Sequence, residues 1–251
     1  MFPIKDDNPT FATPVVTLAL IAANLAVWAM VQGLGAGEAL GASVCRWGLI
    51  PGELLGTAAP GTAFPLGPQS ACVLEATPNW LSVVSSMFLH GGWFHLLGNM
   101  WFLWVFGNNV EDSMGRGRYL AFYLLCGLAA AAAQVLADPA SAIPMVGASG
   151  AIGGVMGAYV ILYPRVRVTL LVILVVFVTT FRVPAFLMLG YWFLTQLLQG
   201  TVATGEAGGV AFWAHVGGFA AGALLVFIFR DPDLVRRHRQ SVLAAHGGRW
   251  A

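Results

Sequence analysis

Six stretches of the chain, residues 13–32, 91–110, 117–137, 148–164, 183–200 and 210–229, are apolar and about as long as a bilayer-crossing helix must be. In hydrocarbon a backbone N–H or C=O has no water to bond, so each such run has to satisfy its polar groups internally, as a helix. That requirement predicts an all-α polytopic membrane protein, a bundle of six transmembrane helices. Composition agrees: 58% of the residues are hydrophobic and 9% charged, whereas a soluble domain carries about 25% charged residues. Mean hydropathy is +0.78.

The first run could be taken for a secretory signal, with Lys5 before it and Gly35-Ala36-Gly37 after it. Its length, and Asp6 and Asp7 in a flank that should be positive, favour a first transmembrane helix instead. With Lys5 inside and six crossings, Arg116, Arg118, Arg165, Arg167, Arg182 and the arginines from Arg230 onward all fall inside. Only Arg46 falls outside, which satisfies the positive-inside rule. A seventh apolar run, 168–181, would reverse Arg182 and the tail if it crossed. It is therefore expected not to span, and to form an interfacial helix or a re-entrant segment buried against protein.

The resulting division is a cytoplasmic segment 1–12, a six-helix membrane domain 13–230 with a long outer loop 33–80, and a basic cytoplasmic tail 231–251. Both termini lie inside, in the inner membrane if the source is bacterial. Net charge is +1, and the one basic cluster, Arg236-Arg237-His238-Arg239, is expected at anionic lipid headgroups; nothing points to a nucleic-acid partner. Cys45 and Cys72 share the outer loop and can pair if it faces an oxidising compartment, though spacing fixes no geometry. Cys126 reads as a small buried hydrophobe.

Against this background a few polar residues stand at membrane depth, where they are expensive and usually functional. Ser149 opens the fourth span in Gly147-Ala148-Ser149-Gly150. His215 opens the sixth, with Gly218 and Gly222 on its own helix face. Glycine faces let two backbones approach closely, which would bring the serine hydroxyl to the imidazole. Such a base activates a hydroxyl as nucleophile. His95 and Asn99, four residues apart, enter the second span and carry the N–H donors an oxyanion hole uses; the Ser149 backbone N–H is another. No acidic residue lies on the sixth span to orient His215, so the arrangement is a dyad. Taken singly, each residue has a plainer reading: a packing serine, a structural histidine, a hydrogen bond between helices. All three elements sit at the outer ends of their helices, and that conjunction favours chemistry.

The chain resembles the rhomboid family of intramembrane serine proteases from about Trp47 to Phe229. The likeness rests on His90-Gly-Gly-Trp-Phe-His95-Leu-Leu-Gly-Asn99, Gly147-Ala-Ser149-Gly150-Ala and Ala214-His215-Val-Gly-Gly218-Phe-Ala-Ala-Gly222. The resemblance implies a six-helix core, Ser149 as nucleophile, His215 as base, and His95, Asn99 and the Ser149 N–H as oxyanion hole. It implies a structural hydrogen-bonding role for Glu111, near Gly115, and a structural or water-retaining one for His90 in a polar mouth. It implies cleavage of other membrane proteins in or near their transmembrane segments, without metal or organic cofactor. Two departures stand out. Gly153 occupies a position where some members stack an aromatic ring on the catalytic histidine, so another group must hold that ring. Arg46-Trp47 reverses a tryptophan–arginine pair often found in the family's first loop.

Three competing functions carry different expectations. A non-catalytic relative would bind membrane clients, and such relatives generally lack the serine or histidine. A channel or transporter would line a path with His90, His95 and His215, but no internal repeat is apparent. A metal site would need a close carboxylate or cysteine partner for those histidines.

Overall fold

The computed structural model describes residues 2–67, 70–174, 177–202 and 210–245. The apolar runs form helices close to the expected bounds: α1 Val15–Met30, α5 Trp93–Met114, α6 Arg116–Ala137, α7 Ser149–Leu162, α8 Ala185–Val202 and α9 Phe212–Phe229. The segment between α1 and α5 contributes α2 Gly37–Trp47, two short helices α3 Pro51–Leu54 and α4 Ser82–Ser85, and a hairpin of β2 Ala63–Gly67 with β3 Ser70–Val73. A second sheet joins β1 Phe2–Asp6, β4 Arg167–Leu174 and β5 Phe177–Pro184, and α10 Pro232–Ala245 ends the described chain. Residues 246–251 of the basic tail lie outside the described residues.

Helices α6 and α9 are each long and apolar enough to cross a membrane, and α1 and α7 are shorter apolar helices. Large apolar side chains face outward, among them Phe94, Leu136, Leu224 and Ile228. Exposed apolar side chains in such number suit a surface that meets lipid better than one that meets water.

Glycine sets the centre of the bundle. Helix α7 is nearly fully buried and packs on α9, α6 and α5. A Cβ on Gly222 would stand 2.5 Å from the Gly154 carbonyl carbon, and one on Gly218 would stand 2.9 Å from that of Gly150. Gly150 in turn faces Ala130 of α6 at 2.5 Å by the same measure. Backbones this close tolerate no side chain at any of the three positions.

Glu111, 4% exposed near the C-terminal end of α5, accepts hydrogen bonds from the N–H groups of Val16 (3.0 Å) and Thr17 (2.8 Å) and from the Thr17 hydroxyl (2.8 Å). Those are donors of the first turn of α1 that no helical carbonyl reaches. Asp112 does the same for Phe11 and Ala12 at 2.7 and 3.2 Å. The structural hydrogen-bonding role expected for Glu111 is thus the capping of α1 onto α5. Gly115 ends α5 at φ 75°, a conformation that favours glycine.

Two expectations need correction. The protein is mostly helical but not all-α, since five strands stand among the described residues. The run 168–181 is not a helix: β4 pairs antiparallel with β5 from Arg167↔Pro184 onward, and β1 joins its other edge, Phe2 opposite Leu171. Valine- and threonine-rich sequence favours strands, and β1 supplies backbone partners that no local segment could. In the basic cluster Arg236, Arg237 and Arg239 are exposed, whereas His238 turns inward. Helix α10 packs on α5, and His238 is buried, its Nε2 2.8 Å from Asn8 Oδ1 and its ring 4.8 Å from both Phe11 and Tyr163.

Asp7 pairs with Arg182 and Arg118 with Asp231, both at 3.4 Å. These contacts gather the N-terminal strand, the start of α6, the β4–β5 hairpin and the tail at one end of the bundle. Ser149, at the other end of α7, faces away from them. Beside the sheet, the Tyr159 hydroxyl donates to Asp6, and burial pushes the Asp6 carboxyl up to about 7. Tyr163 shares a hydrogen bond with Ser113.

The candidate active site

The N-termini of α5, α7 and α9 converge on one cleft. The first intrahelical bond of α7 runs from Ile152 N–H to Ala148 O, leaving the N–H groups of Ser149, Gly150 and Ala151 without a helical acceptor. Unpaired donors and three positive helix ends favour negative charge at this point.

Ser149 Oγ lies 2.8 Å from His215 Nε2. The other ring nitrogen, Nδ1, lies 2.6 Å from Gln196 Oε1 of α8. An amide oxygen only accepts, so Nδ1 carries the proton and Nε2 presents its lone pair to the serine. Ser149 O–H therefore donates to His215. Trp192, one turn before Gln196 on α8, sets its ring 5.7 Å from the imidazole at 38°. It stands beside Gly153, whose Cβ would reach 3.7 Å from the indole.

Gln196 and Trp192 are the residues that sequence reasoning missed. They supply the orienting partner and the aromatic neighbour that the dyad lacked on its own helix. The available signal was an amide and a tryptophan four residues apart on one face of an apolar run.

His95 Nδ1 accepts a hydrogen bond from the Gly91 N–H at 3.3 Å, which leaves Nε2 to carry the ring proton. Gly147 has φ +132°, and a Cβ there would lie 2.8 Å from His95 Nε2 and 3.3 Å from Ser149 Oγ. The space that glycine leaves open is thus bounded by a donor and a hydroxyl. Asn99, one turn along from His95, is buried, and its Nδ2 has no hydrogen-bond partner among the described residues. It is not among the side chains lining the cleft.

His90 is fully buried, with its ring 5.2 Å from that of His95. Gln32 clamps its backbone twice, at 2.8 Å each, so His90 supports the start of α5 and forms no part of an open mouth. The site opens instead into a cleft of about 1550 Å³ whose walls include Leu40, Phe64, Trp93, Met145 and Val210.

Cys45 and Cys72 form a disulfide, with Cα atoms 5.2 Å apart, tying α2 to β3. Cys126 is buried and free. The Arg46 guanidinium lies 5.2 Å over the Trp47 ring at the end of α2.

Residues 77–232, more than half of the chain, match the Rhomboid domain family. Rhomboid protein 1, mitochondrial, of Saccharomyces cerevisiae is 31% identical over 180 residues, covering 68% of this chain and 47% of that protein. Rhomboid protease GluP of Bacillus subtilis is 39% identical over 85 residues, 34% of this chain and 16% of the relative. The presenilin-associated rhomboid-like protein, mitochondrial, of Bos taurus is 26% identical over 166 residues, 63% of this chain and 40% of the relative. The chain thus spans less than half the length of each of these relatives. A buried helical core, a serine–histidine contact where three helix ends meet, and a domain match over most of that core lead to one assignment: the chain belongs to the rhomboid family of integral membrane proteins.

Proposed function

We propose that the protein is an intramembrane serine endopeptidase, built on six crossings by α1, α5, α6, α7, α8 and α9, that cuts other membrane proteins in or near their transmembrane segments. Ser149 is the nucleophile and His215 the base. Its termini lie in the cytoplasm, in the inner membrane of a bacterial source, and the cleft opens towards the outer face. The membrane domain spans 13–230, between the short segment 1–12 and the tail 231–251. The observation that carries this reading is the 2.8 Å contact from Ser149 Oγ to His215 Nε2, inside an apolar bundle yet open to a cleft.

Ser149 Oγ attacks the scissile carbonyl carbon as its proton passes to His215 Nε2. The imidazolium that forms keeps its Nδ1–H on Gln196 Oε1. Charge builds on the carbonyl oxygen, which occupies the space beside Gly147, within reach of His95 Nε2–H and the Ser149 N–H. Asn99 Nδ2, unpaired and buried, completes the hole once a substrate draws it in. One such donor is worth about 2.7–4 kcal/mol in the transition state. Collapse breaks the C–N bond, and the leaving amine takes its proton from His215. Water then attacks the acyl-enzyme by the same path in reverse, releasing the acid and restoring Ser149. An unwound segment of small residues gives the carbonyl access, because a helix keeps its carbonyls in its own bonds.

Purified protein in detergent should be labelled covalently by a fluorophosphonate and should cleave a reconstituted transmembrane peptide. Ser149→Ala and His215→Ala should do neither. Folded wild-type protein that does neither refutes the reading and advances the client-binding alternative.

A further inference from the structure

Among the described residues that line the cleft of Ser149 and His215, Glu38 carries the only carboxylate, and no lysine or arginine lines it. Glu38 stands in the first turn of α2, one turn before Gly41, which lines the cleft as well. Its side chain is exposed and makes no ion pair or hydrogen bond among the described residues. Most other described carboxylates are occupied by the chain itself. Glu111 and Asp112 hold backbone N–H groups of the segment leading into α1, and Asp7 and Asp231 face arginines.

The charge around Glu38 has the same sign. Glu53 of α3, Glu75 and Asp138 lie at the Ser149 end of the bundle, where the Gly52 N–H reaches the Ser141 carbonyl at 2.9 Å and ties α3 to the loop before Ser149. Arg46 is the one cation at that end among the described residues, and its guanidinium is spent over the Trp47 ring. A cleft with apolar walls and charge of one sign focuses its field on a ligand of the opposite sign.

We propose that Glu38 is a specificity-determining residue, its carboxylate pairing with a lysine or arginine side chain in the flank of the substrate beyond its transmembrane segment. The inference rests on the proteolytic reading of Ser149, because sharing that cleft is what names a substrate as the occupant. A long cationic side chain suits the position: its methylene stem lies along apolar surface while its charged end reaches the carboxylate. An acidic side chain would meet like charge there and be turned away.

The test separates binding from catalysis by using the full chain with Ser149→Ala, reconstituted in phosphatidylcholine so that no anionic headgroup competes for the cation. The probes are dye-labelled transmembrane peptides with a small-residue unwinding region, carrying lysine, glutamine or glutamate at successive positions of the flank on the cleft side. At one position lysine should bind about fivefold more tightly than glutamine, the upper range for an exposed ion pair, and glutamate more weakly than either. The preference should shrink in about 1 M salt. Adding Glu38→Gln should bring the lysine and glutamine peptides level while the glutamine peptide binds as before, and Glu38→Lys should reverse the order in favour of glutamate. A lysine preference that survives these substitutions overturns the proposal. So does an equal loss of binding for the lysine and glutamine peptides, or the lack of any charge preference at every position. None of these results bears on whether Ser149 reacts, which fluorophosphonate labelling of the unaltered protein decides independently.

Discussion

Gly222→Ala adds one methyl group seven residues from His215, yet it should disable the site. The added carbon would sit 2.5 Å from both the carbonyl carbon and the Cα of Gly154. The Gly154 carbonyl oxygen lies closer still, so clearing the two carbons alone, to an ordinary contact of 3.4 Å, already moves α9 from α7 by about 0.9 Å. If the helix moves as a unit, the 2.8 Å bond from Ser149 to His215 opens to about 3.7 Å or more, beyond hydrogen-bond range. A displacement of about 1 Å costs on the order of a hundredfold in rate, and overpacking typically costs about 1–3 kcal/mol of stability. The assay is the second-order rate of fluorophosphonate labelling beside a thermal unfolding curve. Gly117→Ala, which meets nothing within 4 Å, is the matched control and should change neither. A Gly222→Ala protein that labels at the wild-type rate and melts at the wild-type temperature would refute the argument that this glycine seam sets the distance between the two side chains.

Gln196→Leu removes the acceptor for His215 Nδ1–H and should lower the labelling rate about tenfold, the worth of one such bond, with little change in melting. Glu111→Ala strands the first-turn donors of α1 and should cost about 3 kcal/mol in chemical unfolding. Activity should fall only as far as the folded fraction does. Asp6 provides a pH test. Its folded pKa, raised from 3.8 to about 7 mainly by burial, means that the folded state holds the proton more tightly than the unfolded one. Its stabilising contribution is full below about pH 4 and is lost as pH rises through 7. Unfolding midpoints measured across that window should therefore fall with pH in the wild type more steeply than in Asp6→Asn; equal slopes would refute the assignment.

Much of the core was legible because hydrocarbon leaves so few options. The apolar runs had to be helices, and the glycines following Ser149 and His215 had to face a neighbouring backbone. What could not be read locally depended on partners far along the chain. The strand character of 168–181 is ambiguous in its own sequence, and its outer edge is completed by Phe2–Asp6. Gln196 and Trp192 belong to a helix with no motif around them, and only the crossing of α8 beside α9 carries them to His215. The resemblance implied a hydrogen-bonding role for Glu111, but its donors, Val16 and Thr17 of α1, lie nearly a hundred residues away and could not be read locally. His238 reads as one more basic residue of the tail until Asn8, Phe11 and Tyr163 close around it.

The pairing of Phe2 with Leu171 also bears on how the molecule is made. Translation proceeds at about 5–20 residues per second, so β1 waits on the order of ten to thirty seconds after leaving the ribosome before its partner strand emerges. During that interval the chain from α1 to α7 is made with β1 still unpaired. A chain whose two ends were kept apart would leave β4 with a bare edge, the kind of unpaired strand that invites aggregation. Closure of that small sheet therefore comes only after most of the helical core has been made.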